Sequence, residues 1–193
     1  MKKHELEAPQ LEQLEAELKR ENHKTRYRLT LRSTIYTLIV VAAIAVLVAT
    51  IWMPVLRIFG NSMTPTLDEG EIVISLKGSS FRQGDICALY YGNKLLVKRV
   101  IAGPGEWVNI DMEGNVYVNG AMLDEPYVQE KAFGDCNLEL PYQVPDGRYF
   151  VMGDHRTTSQ DSRNLAVGCI ADEQIVGRIQ FRVWPFSKFG PVQ

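Results

Sequence analysis

The pattern of apolar and polar positions changes character twice along the chain. From Met1 to Arg32 the sequence is charged and free of glycine. Within it Leu11, Leu14 and Leu18 recur at helical spacing, and Glu15 lies one turn before Lys19. This predicts a short amphipathic helix; three leucines are too few for a coiled coil. Lys24, Arg26, Arg28 and Arg32 then form a basic collar. No charge follows until Arg57, and Ile35 to Val55 is almost wholly apolar, enough for the ~20-residue helix that crosses a bilayer's hydrocarbon core. A cleaved signal peptide is one rival, but the run is long and starts late. A buried core helix is the other, and the run is long for that as well. Tyr36 and Trp52 sit near its ends, where amphipathic aromatics favour the interface. With the basic collar before the span and Asp68, Glu69 and Glu71 after it, the N-terminus is expected in the cytoplasm and everything beyond about Pro54 outside the cell membrane. The expected division is a cytoplasmic, helical segment over 1–32, a transmembrane helix over 33–56 and an extracytoplasmic domain over 57–193.

From Ile58 onward the helical period disappears. Glu71 to Ile74, Asp85 to Tyr91, Leu95 to Ile101, Trp107 to Ile110, Val116 to Val118, Arg148 to Met152 and Ile175 to Trp184 read as strands. Asp111 to Asn115 reads as a hairpin loop, Gly103-Pro104-Gly105 and Val144 to Gly147 as turns, and Ala171 to Gln174 as one helical turn. The predicted fold is mainly β: an antiparallel, barrel-like domain behind one N-terminal transmembrane helix. Between Ala121 and Tyr142 the alternation is lost, and Pro126, Gly134 and Pro141 mark a meandering insertion with no assigned role.

Composition narrows the possibilities. A length of 193 residues suits one domain and an appendage, and a net charge of −2 excludes nucleic acid as the main partner. The cysteines are Cys87, Cys136 and Cys169, an odd number in a spacing that matches no zinc site, and only His155 could join them outside the span. No metal or cofactor is expected. Cys87, in an apolar strand, reads as a small core residue.

Three polar interruptions carry the candidate chemistry. Gly60-Asn61-Ser62-Met63-Thr64-Pro65 places a serine hydroxyl between a glycine-led turn and a proline. Leu96-Val97-Lys98-Arg99-Val100 sets two cations in an apolar run; in a strand they face opposite ways, so one is expected to point inward. A buried lysine loses its proton more readily and becomes a base. Gly153-Asp154-His155-Arg156 through Arg163 is a polar loop after an apolar strand, able to orient the other two.

These segments, in this order behind one anchor, resemble the type I signal peptidases over roughly Ile58 to Val183. The resemblance implies a membrane-anchored serine endopeptidase that removes signal peptides from exported preproteins. It implies Ser62 as nucleophile, Lys98 as general base and Ser159 as hydrogen-bond partner of the amine. Asp154 with Arg99 and Asp161 with Arg163 would be ion pairs shaping the loop. Two positions depart from the family: His155 stands where asparagine is common, and Gly60 where some members carry a hydroxyl. The backbone N–H of Ser62 is then the expected oxyanion donor. Ile58, Met63, Leu67, Leu96 and Val97 flank the pair and are candidates for lining shallow pockets. The expected partners are signal peptides and the lipid bilayer.

Alternatives remain at this point. A Ser62–His155–Asp161 triad is the chemical rival, since His4 and His23 lie before the span. A self-cleaving serine–lysine protein and a tethered β domain that only binds a partner are the others. The last gives no reason for a lysine inside an apolar run.

Overall fold

The computed structural model describes residues 11–78 and 80–192, and part of the expected N-terminal segment, residues 1–10, lies outside them. The chain divides into a helical part ending at Ala49 and a β part beginning at Thr50. One helix, α1 (Leu11–Trp52), runs without a break through the leucine repeat, the basic collar and the apolar run. It is long and apolar enough to cross a membrane. It stops at Trp52, short of the expected boundary at 56. Pro54 lacks an N–H and disfavours helical backbone in Met53 before it.

The β part contains, among the described residues, an eight-stranded and a four-stranded antiparallel sheet. Its strands are β1 (Val55–Arg57), β2 (Ile72–Leu76), β3 (Ile86–Tyr91), β4 (Lys94–Ala102), β5 (Trp107–Ile110), β6 (Val116–Val118), β7 (Ala121–Met122), β8 (Tyr142–Gln143), β9 (Arg148–Met152), β10 (Ile170–Ala171), β11 (Ile175–Trp184) and β12 (Gly190–Pro191). The larger sheet runs β1-β2-β11-β3-β4-β9-β10, with β12 on β11; the smaller runs β7-β6-β5-β8. The larger sheet is open, with β1 and β10 at its two ends.

Every strand of four residues or more was legible as apolar alternation, as was β6. The strands β1, β7, β8, β10 and β12 were not, because two or three residues are too short to show a period. The hairpin at Asp111 to Asn115 forms as expected, with Gly114 at φ +83° and Asp111 N–H donating to Asn115 O. The helical turn is a 3-10 turn at Asp172–Gln174.

Three apolar clusters hold the β part. One joins the two sheets through Val108, Ile110, Val116, Phe150 and Met152. A second packs Cys87, Leu89, Val100 and Val151. The third gathers Ile58, Met63, Leu67, Val73, Ile86 and Ile179 directly beneath the serine turn. The cysteines are all free thiols; Cys87 is a buried core residue, and burial pushes its thiol up to about 12.

Candidate active site

Ser62 is placed by the third cluster. Met63 within the turn and Leu67 just after it are almost fully buried and anchor it. Ile58 N–H donates to Glu71 O at 2.8 Å and Gly70 N–H to Ile58 O at 2.9 Å, fixing the entering chain. Gly60 at φ +77° then reverses the backbone, a conformation costly for a residue with a Cβ. Inside the turn Thr64 N–H bonds Asn61 O and Leu67 N–H bonds Met63 O, which leaves the Ser62 N–H unclaimed among the described residues.

Lys98 reaches this serine from the middle of β4. Its Nζ donates to Ser62 Oγ at 2.7 Å, and the side chain is buried at 3% exposure. Burial lowers the amine from its ordinary 10.5 to about 8, against the pull of the Asp161 and Asp154 carboxylates and with help from Arg163. Neither carboxylate forms an ion pair with Lys98, because each is held by an arginine. Arg99 forks onto Asp154 at 2.9 and 2.7 Å. Arg163 forks onto Asp161 at 2.8 and 2.9 Å. For Asp161, burial raises the carboxyl, but the Arg163 hydrogen bond and charge outweigh it and leave it lowered.

One expectation about the cations needs correcting. Lys98 and Arg99 face opposite ways, yet both are buried. This stretch of β4 is covered on both sides, by the serine turn on one and by Asp154 and the Tyr127 ring on the other. Ser159 also differs: its buried hydroxyl makes no hydrogen bond to Lys98 and lies by the Asp161 carboxylate instead. It lies beside the pair nonetheless, since a Cβ on Gly153 would fall 2.3 Å from Ser159 Oγ and 2.5 Å from Ser62 O. Gly153 is required for this close approach, a role that no local pattern reveals. His155 contributes its backbone, donating to Ser62 O at 3.1 Å. Its ring Nδ1 pairs with the hydroxyls of Thr157 and Thr158, at 3.1 and 2.9 Å. No bond joins that ring to Ser62 or Asp161, which leaves the Ser62–His155–Asp161 triad unassembled.

A groove of about 610 Å³ opens beside Ser62, lined by residues 55–60, Met63 and residues 94–97. Ile58, Met63, Leu96 and Val97 line it, whereas Leu67 is fully buried core below the turn. β4 pairs with β3 throughout Lys94–Arg99, whereas β9 covers its other edge only from Arg99 onward. The first residues of β4 therefore offer a free edge to the groove, and β1, terminal in its sheet, offers another.

The model of the signal peptidase family, peptidase S26, matches residues 31–184. Signal peptidase IB of Staphylococcus aureus is 38% identical over 152 residues, 67% of this chain and 77% of that protein. Signal peptidase I of Bacillus licheniformis is 33% identical over 184 residues, covering 87% of this chain and 96% of that protein. A crystal structure of a signal peptidase I from Enterococcus faecalis V583 aligns with a TM-score of 0.43 at 28% identity, over 51% of this chain and 96% of that one. With that family model spanning both the serine turn and the lysine strand, the chain belongs to the signal peptidases of peptidase family S26.

Proposed function

We propose that this chain is a membrane-anchored serine endopeptidase that removes N-terminal signal peptides, with Ser62 as nucleophile and Lys98 as general base. The observation that carries the reading is the 2.7 Å contact between a serine hydroxyl and a buried amine lowered to about 8. When the amine is neutral the contact reverses: Ser62 O–H donates to the Nζ lone pair and passes its proton as Oγ attacks the scissile carbonyl. The Lys98 ammonium then protonates the leaving amine, and the neutral amine regenerated activates water to release the acyl group. The Ser62 N–H stabilises the oxyanion, with no side-chain donor at Gly60. Asp154, Asp161, Arg99 and Arg163 hold the loop while leaving the amine without a paired carboxylate, and Ser159 turns to the amine once substrate is bound.

The substrate is an extended peptide. The two free strand edges support its binding as an added strand between β1 and β4, with main-chain hydrogen bonds giving affinity. Ile58, Met63, Leu96 and Val97 then face its small side chains. The helix acts as a single span with the N-terminus in the cytoplasm and the lipid bilayer as its surroundings, in keeping with the basic collar.

A preprotein carrying an alanine-x-alanine site tests the assignment. Ser62→Ala and Lys98→Ala each abolish its cleavage, and His155→Asn retains most of it. An active Lys98→Ala protein beside an inactive, folded His155→Asn protein would transfer the base to histidine.

A further inference from the structure

Residues 123–141, between β7 and β8, form no regular element and take no part in the chemistry above. They nevertheless reach into its supports. Glu125 is buried and accepts from both terminal nitrogens of Arg156, one of them at 3.1 Å. Neither side chain of this pair has any exposure. The remaining donor of Arg156, Nε, bonds Gly153 O at 3.1 Å. Asp161 accepts from Gly153 N–H at 3.0 Å, so side chains hold both polar groups of this glycine. Gly153 is the residue packed against the Ser62 carbonyl and the Ser159 hydroxyl.

Two positions along, the Tyr127 ring lies 3.8 Å from the Arg99 guanidinium, and its hydroxyl donates to Glu125 at 3.2 Å. Arg99 follows Lys98 on β4 and forks onto Asp154, the neighbour of Gly153. Its NH1 also donates to Gly84 O at 2.8 Å. Pro126, with its fixed φ, stiffens the link between the two contacts. One short stretch thus grips the arginine of the loop and the arginine of the lysine strand.

We infer that Glu125 and Tyr127 are positioning residues for the Ser62–Lys98 pair, acting through Arg156 and Arg99; this rests on the reading of that pair as the catalytic one. A buried ion pair adds little net stability compared with apolar packing, whereas a guanidinium held by a carboxylate and stacked on a ring has one orientation. Losing either grip lets Gly153 or β4 move relative to Ser62. Arg99 and Gly153 lie outside the groove lining, whose β4 residues are 94–97, so the displacement falls mainly on the chemical step.

The test is steady-state cleavage of a preprotein by the full-length enzyme, with melting temperatures measured alongside. Tyr127→Leu lowers kcat about tenfold and leaves KM within about twofold, whereas Tyr127→Phe, which keeps the ring, stays near wild type. Glu125→Gln combined with Arg156→Gln leaves no unpaired buried charge, so this protein folds, yet it also loses about tenfold in kcat. Wild-type kcat in Tyr127→Leu or in the double variant overturns the proposal. So does a raised KM with unchanged kcat, which would make these binding residues, or a Tyr127→Leu protein that fails to fold, which would make the contact one of stability alone. Ser62→Ala, assayed in parallel, separates the two levels: an active Ser62→Ala enzyme sinks the catalytic pair itself, and an inactive one beside a normal Tyr127→Leu sinks only the positioning role.

Discussion

A lysine held at about 8 carries a stability cost as well as a catalytic property. In the unfolded chain the amine titrates near its ordinary 10.5. Between the two values the unfolded chain binds more protons than the folded one, so stability rises with pH there. Below about 8 the full cost of burying the amine is present, on the order of 3 kcal/mol. Above 10.5 both states are neutral and the cost is gone. Lys98→Met keeps the length and removes the charge. Its one polar loss is the partner of the Ser62 hydroxyl, which would cost about 1–3 kcal/mol if fully buried and less at this half-exposed site. Ser159 has no bond to Lys98 to lose. The variant is therefore inactive and at least as stable as wild type in urea melts at pH 7, with its advantage fading as the pH nears 10.5. Destabilisation at pH 7 that shrinks as the pH falls would instead mark Lys98 as a charged, paired structural residue. Activity follows the same titration: kcat/KM of the wild type climbs about tenfold per pH unit below about 8 and levels above it. A flat profile from pH 6 to 9 would exclude the neutral amine as the base.

At the scale of elements, β11 is the strand on which the larger sheet depends, since it pairs with β2 on one edge and β3 on the other. Its register against β3 shifts between Ile175 and Gly177. A Cβ on Gly177 would lie 2.6 Å from Leu76 O and from Ser75 Oγ, so two strands approach there more closely than any side chain permits. Gly177→Ala is expected to cost about 1–3 kcal/mol in denaturant unfolding. Because no residue of the pair lies on β11, the folded variant keeps its kcat and KM; a fall in kcat without lost stability would contradict this account. The six strands of four or more residues, three-residue β6 and the hairpin were readable from local pattern. The pairing of β1 and β4 edges across a groove was not, because an edge is defined by which strands are absent beside it.

For the whole molecule, the helical part and the β part place different demands on their surroundings. In α1 the apolar side chains from Ile35 to Trp52 are exposed, as a span in lipid requires. The β part buries three apolar clusters of its own. For the proposed orientation, with the N-terminus in the cytoplasm, the expected outcome is that protease added outside spheroplasts digests the β part and spares epitopes before Arg32. A β part protected until the membrane is broken would reverse the orientation.

Local order along the chain was enough to announce an uncharged run with its basic collar, a set of strands, and three boxes whose serine, lysine and arginine–aspartate content resembles one peptidase family. Each is a property of neighbours in sequence, and a few residues suffice to state it. Burial on both sides of β4, the contact of Lys98 with Ser62, the need for glycine at position 153, the lack of a bond from Ser159 to the amine and the grip of Glu125 and Tyr127 on two arginines all waited for the folded chain. They are set by groups tens of residues apart that come within about 4 Å, where desolvation and Coulomb forces act. No periodicity records such distances, and an irregular segment such as 123–141 has no period to record.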